Sequence, residues 1–372
     1  MTTLHDPISI GDLTLRNRIA MAPLTRARAG EAGVPTPLTA VYYAQRASAG
    51  LIVSEATNVS PLSAAFELAP GVYCAAQAAG WRQVADAVHA RGGLMFMQLW
   101  HAGRVGSSAL LGGREPLSPS GVNDDLALLQ VYGALRNGHY ARLHASPSRA
   151  MSEFEIYNAI NAFRQGAVNA VRNGMDGVEI HAANGYLPAQ FLSPHVNRRV
   201  DLFGGSLANR ARFLRLIIEA VLELLPATRI GVRLSPFAAY NNAADPRAAD
   251  TYAYVAAMLD DYGVGYIHAA DSNAWGGAAD MERLLRLTRL HYRGTVIANA
   301  GLDPAAAQAL IAAGLTDMAS FGRDYIANPD LAERIAAGGP YNQADPLTFY
   351  GGGERGYTDY PFLRQQHGEV AA

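Results

Sequence analysis

Eight short apolar segments alternate along the chain with longer segments of helical periodicity, and this alternation limits the possible folds more than any other feature. The apolar segments are bounded by glycine or polar residues, which is typical of buried strands. They lie at residues 18–23, 51–54, 94–97, 177–180, 229–233, 266–268, 296–299 and 317–321. The alternation predicts a parallel (β/α)8 barrel, also called a TIM barrel. We expect residues 1–372 to form a single domain, because neither a repeat nor a break in composition divides them.

The helical segments between these strands have recognisable ends. Ser152 and Glu155 form a capping box for a long amphipathic helix that ends at Asn173-Gly174. Residues 80–91 repeat apolar side chains at helical spacing and stop at two glycines. Further helices are predicted at 207–225, 246–262, 281–290 and 304–313.

Two parts of the chain fall outside this alternation. Residues 6–18 alternate apolar and polar side chains around Gly11-Asp12, which predicts an N-terminal β-hairpin that caps one end of the core. Residues 103–147, after the third strand, are rich in Gly, Pro and Ser and show no sustained period. A segment of this length in a compact protein is usually a functional loop or lid.

Composition and charge exclude several classes of function. Half of the residues are hydrophobic, and the net charge of −2 gives no reason to expect binding to nucleic acid or to an anionic membrane surface. No apolar run is long enough to span a membrane, and no export signal is recognisable, so we expect a cytoplasmic protein. The sequence leaves a monomer and a homodimer equally open.

The usage of individual residue types narrows the chemistry further. The only cysteine, Cys74, cannot form an internal disulfide or a site with several cysteine ligands. The chain contains no lysine, which excludes a Schiff-base mechanism. His101, His195 and His268 lack the spacing of metal ligands, and we assign no metal.

The segment that follows the fourth strand combines three polar side chains within six residues. It reads His181-Ala182-Ala183-Asn184-Gly185-Tyr186. His181 and Asn184 can both donate hydrogen bonds to one oxygen, and Tyr186 is a weak acid that can supply a proton. Each side chain alone is better explained by capping or packing. Together, at the carboxyl end of a barrel strand, they predict a site that adds a hydride and a proton across an activated double bond.

The ends of the last two strands fit a phosphate site. Asn299-Ala300-Gly301 and Phe321-Gly322-Arg323 place glycine beside polar groups, so backbone N–H groups can approach an anion and Arg323 can add a bidentate charge. An ordinary turn is the alternative for either segment alone.

Five further side chains are candidates for the same mouth of the barrel. Arg233 could stabilise a developing anion, Gln98 could bind a pyrimidine edge, and Thr25 could donate one hydrogen bond to a cofactor. The alternatives are an ion pair for Arg233, a polar hydrogen bond in the core for Gln98 and a helix or turn cap for Thr25. Trp100 and Tyr350 could form apolar walls over a flat ligand, although packing alone explains most aromatic residues. No GxGxxG fingerprint follows a strand, so a Rossmann nicotinamide domain is not expected.

These motifs resemble the old yellow enzyme family of FMN-dependent ene-reductases over nearly the whole chain. The resembling segments are 21–26, 98–104, 181–186, 190–194, 201–206, 209–210, 321–323 and 356–361. The resemblance implies non-covalent FMN in the barrel mouth and NAD(P)H, with NADPH as the expected form, as the reducing co-substrate. Departures occur at Pro188 and Ala189, where an aliphatic and a polar residue are expected, and within residues 103–147.

The resemblance also implies roles for individual residues. His181 and Asn184 would bind the carbonyl or nitro oxygen of a small activated alkene, and Tyr186 would protonate its α-carbon. Trp100 and Tyr350 would shape the substrate pocket. The residues implied in FMN binding are Pro23, Leu24, Thr25 and Ala56 around the isoalloxazine, Gln98 and Arg233 at the pyrimidine ring, and Ala300, Gly301, Gly322 and Arg323 at the phosphate.

Other functions are compatible with parts of this pattern. A flavin-free barrel lyase or isomerase acting on a phosphorylated metabolite would use the phosphate site and Tyr186, but would leave Gln98, Thr25 and Trp100 without a role. A flavin-binding protein without enzymatic activity would be reduced slowly and would not pass electrons to an alkene. A reductase of nitrate esters or nitroaromatic compounds would use the same scaffold.

Overall fold

Eight parallel strands close into a barrel in the computed structural model, which describes residues 2–135, 139–238, 240–275 and 279–366. Each strand pairs with its neighbour in sequence, and the eighth strand also pairs with the first, so the sheet has no free edge among these strands. The predicted barrel is therefore confirmed. The strands are Ile19–Met21, Leu51–Val53, Met95–Trp100, Gly177–Ala182, Ile230–Leu234, Tyr266–Ala270, Thr295–Asn299 and Met318–Phe321.

Helices cover the outside of the barrel. The predicted capping box is present, with Ser152 accepting from Glu155 at the start of the longest helix. The helix at residues 37–45 was not predicted, because its mix of Tyr, Ala and Thr shows little separation into polar and apolar faces. The principal helices are Pro37–Gln45, Ala75–His89, Glu153–Arg172, Leu207–Leu222, Ala248–Asp261, Met281–His291 and Pro304–Ala312, with shorter helices at Leu187–Leu192, Arg323–Ala327, Leu331–Ala337 and Leu363–Gln366.

The N-terminal hairpin closes the floor of the barrel, as predicted. Its strands, Ile8–Ile10 and Leu13–Leu15, pair antiparallel, and Ile10, Leu13 and Leu15 pack into one cluster with side chains from the barrel interior. Burial of side chains of this size contributes about 1.5–3 kcal/mol each to the free energy of unfolding. The cluster is continuous with the strands, so the floor and the barrel stabilise each other.

Two glycines make room for aromatic rings near this floor. A Cβ atom at Gly177 would lie 2.5 Å from the ring of Phe96, and one at Gly231 would lie 2.0 Å from the ring of Tyr266. Phe96 and Tyr266 are fully buried and pack against each other with ring centroids 5.8 Å apart. The glycines that begin the fourth and fifth strands therefore allow the barrel interior to be filled.

The segment at residues 103–147 is more ordered than the sequence analysis suggested. Strands Val131–Ala134 and Tyr140–Leu143 form an antiparallel hairpin, and Leu117–Ser118 pairs in parallel with Arg149–Ala150. The expectation of an irregular segment was therefore wrong in part. These strands are four residues or fewer, too short for a periodic pattern to stand out against the surrounding Gly and Ser.

Strand register brings the candidate residues together. His181 on the fourth strand lies opposite Arg233 on the fifth, and Arg233 lies opposite His268 on the sixth. Glu179 lies opposite Gln98 on the third strand. The fourth strand continues two residues beyond its predicted end, so His181 lies within the strand. Among the helices described, none combines the length and the apolar character that crossing a membrane requires.

Candidate active site

The carboxyl ends of the barrel strands surround a cavity of about 430 Å³. This volume lies within the range of about 300–1,000 Å³ that is usual for ligand pockets. Most of the residues that the sequence analysis assigned to the site line it. They are Pro23, Leu24, Thr25, Asn184, Tyr186, Arg233, Ala300, Gly301, Gly322, Arg323 and Tyr350.

Four assigned residues stand behind this wall. The rings of His181 and Trp100 contact the ring of Tyr186, with centroids 4.9 and 5.1 Å away. Ala56 packs in the same apolar cluster as Trp100 and Tyr186. Gln98 is buried in the barrel interior. These side chains support the wall of the cavity from behind.

A sharp turn after the fourth strand presents Asn184 and Tyr186 to the cavity. Asn184 and Gly185 both adopt left-handed backbone conformations, with φ of 58° and 69°. A Cβ atom at Gly185 would lie 2.6 Å from the carbonyl oxygen of Tyr240, so only glycine fits there. Pro188 lies in the first turn of the following helix, where a proline needs no N–H and fits without distortion.

His181 is a neutral hydrogen-bond donor. Burial holds the pKa of its imidazole well below the ordinary value of 6.5, and the charges of Arg233 and His268 lower it further. Its Nδ1 accepts the backbone N–H of Ala183 at 3.3 Å. An uncharged imidazole carries one proton, so that proton is on Nε2.

Tyr186 keeps its proton at neutral pH. Burial raises the pKa of the phenol well above the ordinary value of 10, and the neighbouring Tyr240 and Tyr350 raise it further, against a lowering effect of Arg233. A phenol of this kind gives up its proton only to a strongly basic centre. The residue is suited to protonating a carbon that has become carbanionic.

Arg233 presents an unsatisfied donor in the cavity wall. Its Nη2 donates to Oδ1 of Asn299 at 2.6 Å, whereas its buried Nε has no hydrogen-bond partner among the described residues. Burial lowers the pKa of the guanidinium, and the charge of Glu179 opposes this shift. A buried donor left unpaired costs roughly 1–3 kcal/mol, so an acceptor on a bound ligand would be favourable here.

A polar network beneath the cavity balances this cation. Oε1 of Glu179 accepts from the Gln98 amide at 2.7 Å, and Oε2 contacts Nδ1 of His268 at 2.9 Å and accepts from the Tyr266 hydroxyl at 3.1 Å. Burial by itself would raise the pKa of Glu179, but the charge of His268 and these hydrogen bonds hold it below its ordinary value. Within the described part of the chain, Oε1 of Gln98 accepts no hydrogen bond, so Gln98 can offer that oxygen to a ligand.

The end of the eighth strand leads into a short helix that begins at Arg323. This is the position at which barrels of this type commonly bind phosphate. Gly301 has a positive φ of 64°, and no side chain at Gly301 or Gly322 blocks the approach to the backbone. The guanidinium of Arg323 forms no hydrogen bond or ion pair with the residues described here. Arg323 is thus available for an anion in the same cavity as Arg233.

Several residues of the cavity wall were missed by the sequence analysis. Phe66 and Tyr350 line the cavity with ring centroids 5.8 Å apart, and Tyr132 and Tyr140 from the hairpin stack behind them. Tyr350 was assigned to the substrate pocket from the sequence. No sequence pattern marks Phe66, Tyr132 or Tyr140, because only the fold brings them next to Tyr350. The other missed lining residues are Ala22, Tyr240, Ala270, Asp271, Ser272, Leu302, Ser320, Asp324, Ile326 and Phe349.

Comparisons with known proteins find relatives that match nearly the whole chain. The model of the NADH:flavin oxidoreductase / NADH oxidase family matches residues 3–342. A 12-oxophytodienoate reductase of Arabidopsis thaliana is 36% identical over 365 residues, which cover 97% of this chain and 96% of the relative. A protein of Leishmania infantum named as a probable flavin mononucleotide-dependent alkene reductase is 34% identical over 366 residues, 96% of each chain. The structure of morphinone reductase in complex with tetrahydroNAD has a TM-score of 0.93 and 41% identity, and the match covers 99% of both chains.

Proposed function

The chain belongs to the NADH:flavin oxidoreductase / NADH oxidase family, and from this membership and the cavity we propose how it works. It is an FMN-dependent ene-reductase that uses NAD(P)H as reductant and acts on carbon–carbon double bonds. The relatives named as alkene and 12-oxophytodienoate reductases, which align over almost their whole length, support this activity. We extend it to the roles of individual residues within one domain formed by residues 1–372.

The residues of the cavity fit FMN. The unpaired Nε of Arg233 and the free oxygen of Gln98 would meet the polar edge of the isoalloxazine, and Pro23, Leu24, Thr25 and Ala56 would surround its rings. The phosphate would lie at the cradle of Ala300, Gly301, Gly322 and Arg323. When bound, FMN would supply the hydride-transfer chemistry between NAD(P)H and the β-carbon of the alkene. Arg233 would place a fixed positive charge beside the bound ring.

His181 and Asn184 bind the oxygen of the substrate in this proposal. The Nε2 proton of the neutral His181 ring and the amide of Asn184 polarise the carbonyl and stabilise the negative charge that grows on its oxygen. Because His181 carries no charge of its own, it donates a hydrogen bond without transferring its proton. A nitro group offers oxygens to the same two donors, so the proposed acceptors include nitroalkenes as well as enones, enals and maleimides.

Tyr186 completes the reaction by protonating the α-carbon. Its raised pKa prevents early loss of the proton and permits transfer once the hydride has made the α-carbon basic. Trp100 and His181 both pack against the ring, and Tyr350 lines the same cavity. The observation that carries the proposal is that the amide of Asn184 and the high-pKa phenol of Tyr186 line one cavity with Arg233, while the neutral ring of His181 packs against that phenol.

We further propose that the substrates are small molecules and that the protein acts in the cytoplasm, either as a monomer or as a homodimer. A single cysteine agrees with a reducing compartment. NADPH is the proposed physiological reductant, which parallel titrations with NADPH and NADH would test.

An anaerobic titration tests the central proposal in one cuvette. We expect the purified protein to be yellow, to bleach on addition of NADPH and to regain its colour on addition of 2-cyclohexenone. A protein that contains no flavin and takes up no added FMN would overturn the proposal. Bleaching without recovery would retain the flavin and exclude the enone as acceptor.

A further inference from the structure

We propose that Ser272 is a positioning residue that fixes which end of the Asn184 amide faces the substrate. The proposal rests on the role of Asn184 under the proposed function and goes one step beyond it. Ser272 follows the sixth strand, and its hydroxyl donates to Oδ1 of Asn184 at 2.6 Å. Both residues line the cavity and both are buried.

The hydrogen bonds of Asn184 leave one of its donors for the cavity. Oδ1 is occupied by Ser272, whereas Nδ2 forms no hydrogen bond with any residue that the structure describes. The backbone N–H donates to Oγ of Ser235 at 2.8 Å, and the backbone carbonyl accepts from Nδ2 of Asn241 at 2.9 Å. Both backbone groups of Asn184 are therefore fixed by hydrogen bonds. The rotation that exchanges Oδ1 and Nδ2 of the side chain remains possible, and the bond from Ser272 restricts it.

The two orientations of the amide have the same shape but opposite polarity. If the amide were reversed, Nδ2 would donate to Ser272 and the hydroxyl proton would be left without an acceptor among the described residues. Oδ1 would then face the cavity. The observed orientation satisfies both the hydroxyl proton and Oδ1, so the serine selects it.

This orientation decides whether Asn184 helps or hinders the reaction. The oxygen of the substrate gains negative charge as the hydride arrives, and a preorganised N–H group stabilises that charge. A carbonyl oxygen in its place would repel it. Ser272 touches neither the substrate nor the cofactor in this proposal and acts through Asn184.

Hydrogen bonds of Asp271 hold the start of the segment that carries Ser272. The carboxylate of Asp271 accepts the backbone N–H of Asn273 and that of Asp280, both at 3.0 Å, and the N–H of Asp271 donates to the carbonyl of Asn299. These bonds tie the start of the Ser272–Trp275 turn to the seventh strand. The hydroxyl is presented to Asn184 from a fixed position.

The test compares Ser272→Ala and Ser272→Thr in the FMN-loaded protein. We expect S272A to weaken the binding of a simple phenol, which places its oxygen where the substrate oxygen lies, by roughly tenfold, and to slow reoxidation by 2-cyclohexenone to a similar extent. Reduction by NADPH should change less than twofold, and S272T should restore the wild-type values. Ser193→Ala is the matched control, because Ser193 is also buried and donates at 2.6 Å to the carbonyl of Ala244 instead.

A double-mutant cycle separates positioning from a general structural effect. If Ser272 acts through Asn184, S272A should have no further effect on phenol binding or reoxidation in an Asn184→Ala background. Additive effects, or an S272A variant indistinguishable from wild type, would overturn the inference. If S272A does not retain FMN, the variant Ser272→Cys is measured in its stead, because a thiol is a weak donor of similar size to the hydroxyl. A wild-type protein that contains no flavin and takes up no FMN would instead refute the proposed function, and a wild-type protein that 2-cyclohexenone does not reoxidise would leave phenol binding as the test of Ser272.

Discussion

The imidazole of His181 meets the phenol ring of Tyr186 edge to face, with centroids 4.9 Å apart and ring planes at 82°. Trp100 contacts the same phenol ring at 5.1 Å with a similar angle of 79°. No hydrogen bond from the described residues reaches the Tyr186 hydroxyl. The direction of this hydroxyl is therefore set by ring packing, and the group stays available for a reaction partner.

Replacing Tyr186 by phenylalanine should separate the two half-reactions. Tyr186→Phe keeps both ring contacts and removes only the proton donor, so we expect reoxidation by an enone to slow by roughly 10²–10⁴-fold. Reduction by NADPH should stay within about twofold, because no proton from Tyr186 is used there. Stopped-flow measurement of each half-reaction checks this, and equal damage to both would remove Tyr186 from the role.

Arg323 should bind only the phosphate group of FMN and no other part of the cofactor. We expect Arg323→Ala to weaken FMN binding to the apoprotein by roughly 10–100-fold, because a charge-assisted pair is lost, and to leave riboflavin binding unchanged. Quenching of flavin fluorescence measures both affinities. A parallel loss of riboflavin affinity would show that Arg323 acts on the fold of the cavity instead.

Glu55 should make the fold less stable as the pH rises. Burial raises the pKa of its carboxyl to about 7, although the N–H groups of Arg26 and Ala27 donate to Oε2 and the charges of Arg26 and Arg28 oppose the shift. Between the ordinary value of 4.5 and about 7, the unfolded chain releases this proton before the folded protein does. Stability is therefore lost as the pH rises through this window, by roughly 3 kcal/mol in all.

The variant Glu55→Gln removes this charge and keeps an oxygen for the same two N–H groups. We expect its melting temperature to exceed that of the wild type at about pH 8 and to match it at about pH 5. Tyr43 and Tyr357 also lie close to Glu55 and stay uncharged over this range, because burial raises the pKa of both phenols. The same difference in melting temperature at both pH values would contradict the prediction.

Arg28 should hold the segment that carries Tyr350. Its guanidinium donates to the carbonyl oxygens of Thr348 at 2.9 Å and Gly353 at 3.2 Å, on either side of Tyr350. We expect Arg28→Met to raise KM for the alkene several-fold and to cost about 1–3 kcal/mol of stability. Steady-state kinetics and thermal unfolding measure the two effects.

A matched substitution on the surface controls for the loss of an arginine. Arg293 pairs with Asp260 and its side chain is 87% exposed. Arg293→Met should leave KM and the melting temperature unchanged, because exposed ion pairs contribute little. An Arg28→Met variant that behaves in the same way would show that the segment around Tyr350 holds its own conformation.

The barrel could be predicted because each strand carries its own local evidence. Short β-branched runs such as Ile230–Leu234 are bounded by turn residues, and a capping box in the sequence marks the start of the helix at Glu153–Arg172. The fourth strand was predicted two residues short because the run of β-branched and apolar side chains stops at Ile180, whereas hydrogen bonds to the fifth strand continue to Ala182. Such bonds depend on the neighbouring strand and leave no mark in the local sequence.

The candidate site was predictable where chemistry is concentrated in one stretch, and not where it depends on packing. Asn184 and Tyr186 come from one motif and line the cavity. Ser272 was missed because a serine after a strand is an ordinary turn residue until its distance to Asn184 is known. Phe66 was missed because its ring contact with Tyr350 joins residues nearly three hundred positions apart. The spacing of residues in the sequence says nothing about such contacts.

The filled floor of the barrel has a consequence for kinetics. Phe96, Tyr266 and the N-terminal hairpin occupy the interior below the cavity, so within the described structure the amino-terminal end offers no passage. NAD(P)H and the alkene must then enter and leave through the same opening. Each is expected to act as a competitive inhibitor of the other, and turnover at fixed NADPH should pass through a maximum as the alkene concentration rises.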